Sequence, residues 1–230
     1  MNSYAIVCQG CDRYSFIFKY FLDAIRPHLN EKKIFFCTEE IDVEDECVIN
    51  IKTGPGSWSK RLKFILEHEL LRDFDTVLYC QEDMLIKNID WNTVNKCYEF
   101  HINNYADITK LGKNFEFRTF PATHAINGHP VCRQVLGDTY LVSHQPISFF
   151  KKEFLLNTLE GQEFGPSEHE LLSSQRFDPN VYCVGNSRNP NRSLIVDYVH
   201  AIRQGELLPE GKDFINVIRK FNDSKSIQQI

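Results

Sequence analysis

Apolar residues recur along this chain with two periods, and their alternation predicts its elements. Tyr4 to Cys8 is a short apolar run of strand type. Tyr14, Ile17, Phe18, Phe21, Leu22 and Ile25 then fall on one helical face, ended by Pro27. Lys33 to Cys37 and Cys47 to Ile51 are two further strands, and the residues TEEIDVEDE between them are too few for a helical crossover. They read as a loop, and the order of these two strands in a sheet stays open. Gly54-Pro55-Gly56-Ser57 is a turn with Ser57 placed as a helix cap, and Trp58, Leu62, Ile65, Leu66 and Leu70 give the next helix its buried face. Thr76 to Cys80 is a β-branched and aromatic run of the kind buried on both faces of a sheet. The order strand, helix, strand, strand, helix, strand predicts a nucleotide-binding type of α/β half over residues 1–88.

The second part, about 89–223, is patterned less regularly. A helix is expected from near Asp90 to Tyr105, an irregular region from Asp107 to Asp138, and short strands at Thr139 to Val142 and Ile147 to Phe150. Lys152 to Glu160 is a helix, and Ser167 is read as the cap of another, Glu168 to Gln175, with Glu170 as its capping-box partner. Tyr182 to Gly185 and Leu194 to Val199 read as strands around the polar turn Asn186 to Arg192, and Ser224 to Ile230 as a frayed tail. The whole is expected to be one α/β domain over 1–230, a mixed and mostly parallel central sheet flanked by helices.

Composition narrows the partners. A net charge of −5 disfavours a nucleic-acid binder, which usually presents a basic surface. No apolar run is long enough to span a membrane, and the N-terminus lacks a signal-peptide pattern, so a cytoplasmic location is expected. The 8 cysteines are expected to be reduced, because four of them lie in or beside strands, where a thiol acts as a small hydrophobe. Cys8-x-x-Cys11 has no second pair at zinc-site spacing.

The candidate chemistry gathers after Thr76 to Cys80, where the apolar run stops at Gln81, Glu82 and Asp83. Open α/β sheets bind ligands at the carboxyl ends of their strands. Carboxylates there suit Mg²⁺ or Mn²⁺, which in turn suit a diphosphate. Gln9, Gly10, Asp12 and Arg13 follow the first strand and Thr38 and Glu39 the second, so they are candidates to face a nucleotide. No GxGxxG or GxxxxGK[ST] occurs, which removes the dinucleotide and P-loop readings.

GSWSKRLKFILEHELL, DTVLYCQEDMLI, SHQPISFFKKEFLL, PSEHELLSSQRF and YVHAIRQGEL, in that order, resemble a family of GT-A-fold glycosyltransferases. These nucleotide-sugar-dependent enzymes occur in bacterial surface-polysaccharide clusters and in some large viruses. The resemblance runs from about Tyr4 to Gly211, and Lys60 stands where the family commonly has an acid. It implies a nucleotide-sugar donor, a glycan or glycosylated acceptor, and Mn²⁺ or Mg²⁺. Asp83 matches the DxD position that most often touches the metal, with Gln81 and Glu82 beside it, and His200 is implied as a further ligand. Trp58, Arg61 and Arg203 are implied on the donor side. An inverting transfer needs a carboxylate to take the acceptor's proton, which points to Glu168 first and Glu170 second. Two alternatives stay open: a sugar-nucleotide nucleotidyltransferase, and a catalytically silent nucleotide- or glycan-binding module.

Overall fold

The computed structural model describes residues 4–111, 117–144, 147–161, 163–185, 194–203 and 205–227, with side chains described up to 220. The turn expected at 186–192 lies outside them. Four strands form the first part of a sheet: β1 (Tyr4–Gln9), β2 (Ile34–Thr38), β3 (Val48–Lys52) and β4 (Thr76–Gln81). They lie in the order β3-β2-β1-β4, and all are parallel. β2 and β3 are therefore parallel neighbours joined by a loop alone, paired Ile34 to Val48. That loop holds its shape partly through Asn50, whose side chain both accepts from Val43 N–H at 2.9 Å and donates to Val43 O at 3.0 Å.

The second part completes the same sheet in the order β9-β6-β10-β8-β7. These are β6 (Ile108–Leu111), β7 (His124–Ile126), β8 (His129–Arg133), β9 (Ser148–Lys151) and β10 (Val181–Val184). Only β9 and β8 run against the other seven, so the nine-stranded sheet is mixed but mostly parallel. β5 (Met84–Ile89) pairs antiparallel with β11 (Val196–His200), and β12 (Ile202–Arg203) with β13 (Glu206–Leu207).

Residues of β1 alternate between two cores. Tyr4, Ile6 and Cys8 face a layer of α1 (Ser15–Ile25), α3 (Trp91–Asn103), β5 and β11. Ala5 and Val7 face α2 (Trp58–Glu67) and α4 (Lys152–Thr158) on the other side. Ser57 caps α2 by accepting from Lys60 N–H at 3.3 Å, and Asp90 caps α3 by accepting from Thr93 N–H at 3.2 Å.

Four sequence expectations are corrected. The region 107–138 contains β6, β7 and β8, and Asn127 and Gly128, at φ 48° and 80°, make the tight turn of the β7–β8 hairpin. Thr139 to Val142 is not a strand but turns and bends. α5 (Pro166–Arg176) is capped by Gly165, with Pro166 in its first turn, so Ser167 is inside the helix. The expected tail from Ser224 is helical as far as Ile227, in α6 (Pro209–Ile227).

Candidate active site

The carboxyl ends of the parallel strands are tied together by a buried polar network. Arg61, implied on the donor side by the resemblance, is 5% exposed. Its guanidinium donates to Gly10 O after β1, to Glu39 Oε1 after β2, and through Nε to Thr53 Oγ1 after β3 at 3.1 Å. Asp12 adds a second clasp: its carboxylate accepts the N–H groups of Glu39, Glu40 and Ile41 at 2.9–3.1 Å, and its own N–H reaches Glu39 Oε2. Burial acts to raise the Asp12 pKa, but these donors outweigh it and hold the carboxyl below its usual range. Thr38 Oγ1 donates to Ile41 O at 2.6 Å. Gln9, 3% exposed, donates to Trp58 O at 3.1 Å and accepts from the Tyr79 hydroxyl at 2.8 Å. Gly10 is required by close packing, since a β-carbon there would lie 3.0–3.1 Å from the rings of Phe18 and Phe36. These side chains form the floor of a site.

Glu82 belongs to that floor as well. It is 6% exposed and accepts the Cys11 N–H at 3.0 Å, which ties it to the first loop. Burial, and next the repulsion of Asp83, push its carboxyl up to about 8. Asp83 faces a different partner. β5 and β11 pair Met84 with His200, and Ala201 N–H donates to Asp83 O at 2.8 Å, so the two chains meet at this turn. Asp83 Oδ2 lies 3.7 Å from His200 Nδ1. Asp83 Oδ1 and His200 Nε2 are both buried without a hydrogen-bond partner. A carboxylate and an imidazole side by side, each with one further atom left unsatisfied, fit a divalent ion, and the mixed set suits Mn²⁺ at least as well as Mg²⁺. Among the described residues no group of three or more His, Cys, Asp or Glu is arranged around a metal position. A metal here would thus take its remaining ligands from substrate oxygens and water.

The β12–β13 hairpin returns to the first loop. A β-carbon on Gly205, at φ 86°, would lie 3.4 Å from the Tyr14 hydroxyl and 3.7 Å from Arg13 Nη2. Arg13 and Arg203 are exposed, and neither has an acidic partner among the described residues. Gln81 is half-buried at the end of β4.

α5 packs against the start of α2. Glu168 is exposed in the first turn of α5 and makes no hydrogen bond or ion pair among the described residues. Glu170 is no capping partner. Its Oε1 accepts from His144 N–H at 2.7 Å and from the Ser143 hydroxyl at 3.1 Å. Burial would raise its pKa, but these bonds and the His144 ring hold it below the carboxylate range. The loop before α5 is fastened to α2, since Ser59 N–H donates to Phe164 O at 3.2 Å and Ser59 Oγ accepts from Phe164 N–H at 2.7 Å. Trp58, expected on the donor side, begins α2 and packs on His144 and His169 with centroids 4.4 and 5.3 Å away.

No protein-family model matches the chain, and no curated protein sequence does. Solved structures do. A UDP-glucose pyrophosphorylase complexed with UDP-glucose aligns over 96% of this chain and 99% of its own, at 8% identity and a TM-score of 0.53. The chain has a nucleotide-sugar-transferase fold. TarS 1-349 from S. aureus in complex with UDP-GlcNAc aligns over 94% of this chain at 12% identity and a TM-score of 0.47. The chain spans 65% of that TarS chain, and 58% of TarS 1-349 in a second structure, which aligns over 80% of this chain at 12% identity and a TM-score of 0.45.

Open α/β sheets bind ligands at the carboxyl ends of their strands, which in this sheet is the side of the Arg61 network and the Asp83–His200 turn. A 460 Å³ cavity lined by Lys63, Asp75, Lys151 and Lys152 among others lies at the opposite end, where β4 begins. It shares no residue with the Asp83–His200 turn. Two ionisable residues near α5 drew no role from the sequence. His144 belongs to the segment SHQPISFF, and its partner Glu170 is distant in sequence. Lys110, 1% exposed, donates to Gln134 Oε1 at 2.9 Å and Tyr140 O at 2.6 Å, and burial lowers its pKa to about 8.

Proposed function

We propose that this chain is a metal-assisted glycosyltransferase, moving a sugar from a nucleotide donor to a glycan hydroxyl with inversion. The observation that carries the reading is the pairing of Asp83 with His200 at the end of β4, each with an unsatisfied buried atom. Two exposed arginines without an acidic partner among the described residues, Arg13 and Arg203, support it, because a diphosphate needs positive charge around it. Asp83 and His200 would hold Mn²⁺ or Mg²⁺, which when bound supplies charge neutralisation for the departing diphosphate. Arg13 and Arg203 orient the same group through charge-assisted bonds, and the Arg61 and Asp12 clasps keep their loops in place. Glu168 accepts the acceptor's hydroxyl proton as that oxygen bonds to the anomeric carbon and the bond to the diphosphate oxygen breaks. The eight unpaired cysteines support a reducing, cytoplasmic setting.

A second reading, nucleotidyl transfer, is favoured by the alignment with the UDP-glucose pyrophosphorylase. Product analysis separates the two. The chain is screened by thermal shift against nucleotide sugars with and without Mn²⁺, and the best donor is then incubated with glycan acceptors or water. Glycosyl transfer releases nucleoside diphosphate and leaves sugar on the acceptor. Release of inorganic diphosphate from a nucleoside triphosphate and a sugar 1-phosphate would replace this reading by the second. Binding without either product would make the chain a silent module.

A further inference from the structure

Helix α5 is attached to the sheet by polar contacts. Its buried side chains are His169, Ser173 and Ser174, so it lacks the apolar stripe that normally seats a helix. Directional bonds take over. Glu170 accepts from the Ser143 hydroxyl and His144 N–H, Ser174 Oγ accepts from Val142 N–H at 2.9 Å, and His169 Nε2 lies 2.9 Å from Thr158 Oγ1. The His144 ring adds a close polar contact to Glu170 that is not aligned as a hydrogen bond, and neither ring nitrogen has a hydrogen-bond partner among the described residues. The ring is 1% exposed, its Nδ1 lies 3.2 Å from Glu170 Oε1, and it stacks on His169 at 5.0 Å with 25° between the planes.

Apolar packing lets a helix turn slightly about its axis, whereas hydrogen bonds weaken steeply with angle. Successive helical residues are about 100° apart, so Glu168 stands roughly 200° from Glu170, toward the exposed side. Whatever fixes Glu170 therefore sets the direction of Glu168. Trp58 braces the His144 ring from α2, the helix that also fastens the loop leading into α5.

We infer that His144 is a positioning residue: through Glu170 it fixes the rotation of α5 and so aims Glu168 at the acceptor hydroxyl. This rests on Glu168 being the base. Buried as it is, His144 acts through Glu170 and not on substrate.

The test is a double-mutant cycle. His144→Phe keeps the ring and its packing but removes Nδ1, and His144→Gln restores a donor toward Glu170. With the donor selected above and Mn²⁺, His144→Phe is expected to lower kcat by about 10–10²-fold, the scale of a misaimed group. Donor Kd stays within about twofold, and His144→Gln recovers most of the rate. In a Glu168→Gln background the same substitution costs less than about twofold, because the group it aims has gone. Amide exchange over residues 166–172 quickens in His144→Phe. Equal losses in both backgrounds, or no loss and no change in exchange, overturn the inference and leave the base assignment standing. If Glu168→Gln alone leaves kcat unchanged, the base assignment fails and the inference with it. Should His144→Phe not fold, His144→Phe/Glu170→Gln removes the stranded charge and is compared with Glu170→Gln in the same cycle.

Discussion

Arg61 and Arg13 carry the same charge beside the same loop, and the fold uses them in opposite ways. Arg61 is buried and spends its donors on three strand ends. Arg61→Met leaves Gly10 O and the half-buried Glu39 each with one partner fewer and should cost about 1–3 kcal/mol in urea unfolding. Arg13→Ala and Arg203→Ala remove exposed guanidiniums, that of Arg13 lying 5.6 Å from the Tyr14 ring centroid, so stability should stay within about 1 kcal/mol. Donor Kd should instead weaken about tenfold for each, roughly 1.4 kcal/mol. A stable Arg61→Met with lost donor binding would make Arg61 a ligand contact after all. Asp83→Asn keeps the side chain's size and loses its charge, so Mn²⁺-dependent turnover should fall by about 10²–10³ with the melting temperature unchanged. At this scale the sequence marked Asp83 and His200 separately. Strand-end position and resemblance located both residues, but their contact depends on the β5–β11 pairing, which no local pattern announces. Burial of Arg61 was illegible for a related reason: an arginine in a helix reads as surface until three loops are known to converge on it.

Elements with an apolar period were legible, and those without one were not. α1 and β4 match their patterns closely because each buries a regular stripe, and α2 does so from Leu62 to Leu66 but ends at Glu67, leaving the expected face residue Leu70 exposed. β6 was missed because its ITKL carries Lys110, buried on Gln134 and Tyr140 O. The β7–β8 hairpin was missed although Asn127-Gly128 is a strong turn signal, since His129 and Pro130 interrupt the alternation beside it. α5 was placed but its cap misread, because Ser167 and Glu170 imitate a capping box while Pro166 marks the true first turn. The polar seating of α5 gives a pH prediction. Glu170 titrates below its unfolded value of about 4.3, so its contribution is complete above that pH and is lost as pH falls through the folded value. Glu170→Gln cannot titrate. The stability gap between the native chain and this variant should be constant above about pH 4.3 and narrow below it, as read by denaturant unfolding across pH. A gap that is flat down to pH 2 would mean that Glu170 is not held ionised by His144 and Ser143.

Across the whole molecule the site depends on the C-terminal part coming back over the N-terminal loops. β11 supplies His200, the hairpin after it reaches Arg13, and α6 then packs on β11 through Ile215 and Ile218. The closest approach in that return is Gly211. A β-carbon there would lie 2.5 Å from Ala201 Cα and 3.0 Å from Ala201 O, and backbone atoms cannot swing aside as a side chain would. Gly211→Ala should thus displace α6 from the strand end. The cost of such overpacking is about 1–3 kcal/mol, set against the small gain of alanine over glycine in a helix. Ala201 N–H also holds Asp83 O, so the displacement reaches the proposed metal pair without touching it. The expected result is a lower melting temperature together with Mn²⁺ affinity weakened several-fold, while nucleotide binding without metal changes little. Gly205→Ala strains a positive φ in the hairpin but leaves α6 and Asp83 alone, so it should leave Mn²⁺ affinity intact. If Gly211→Ala loses stability yet binds Mn²⁺ as before, the metal pair does not depend on how α6 seats β11.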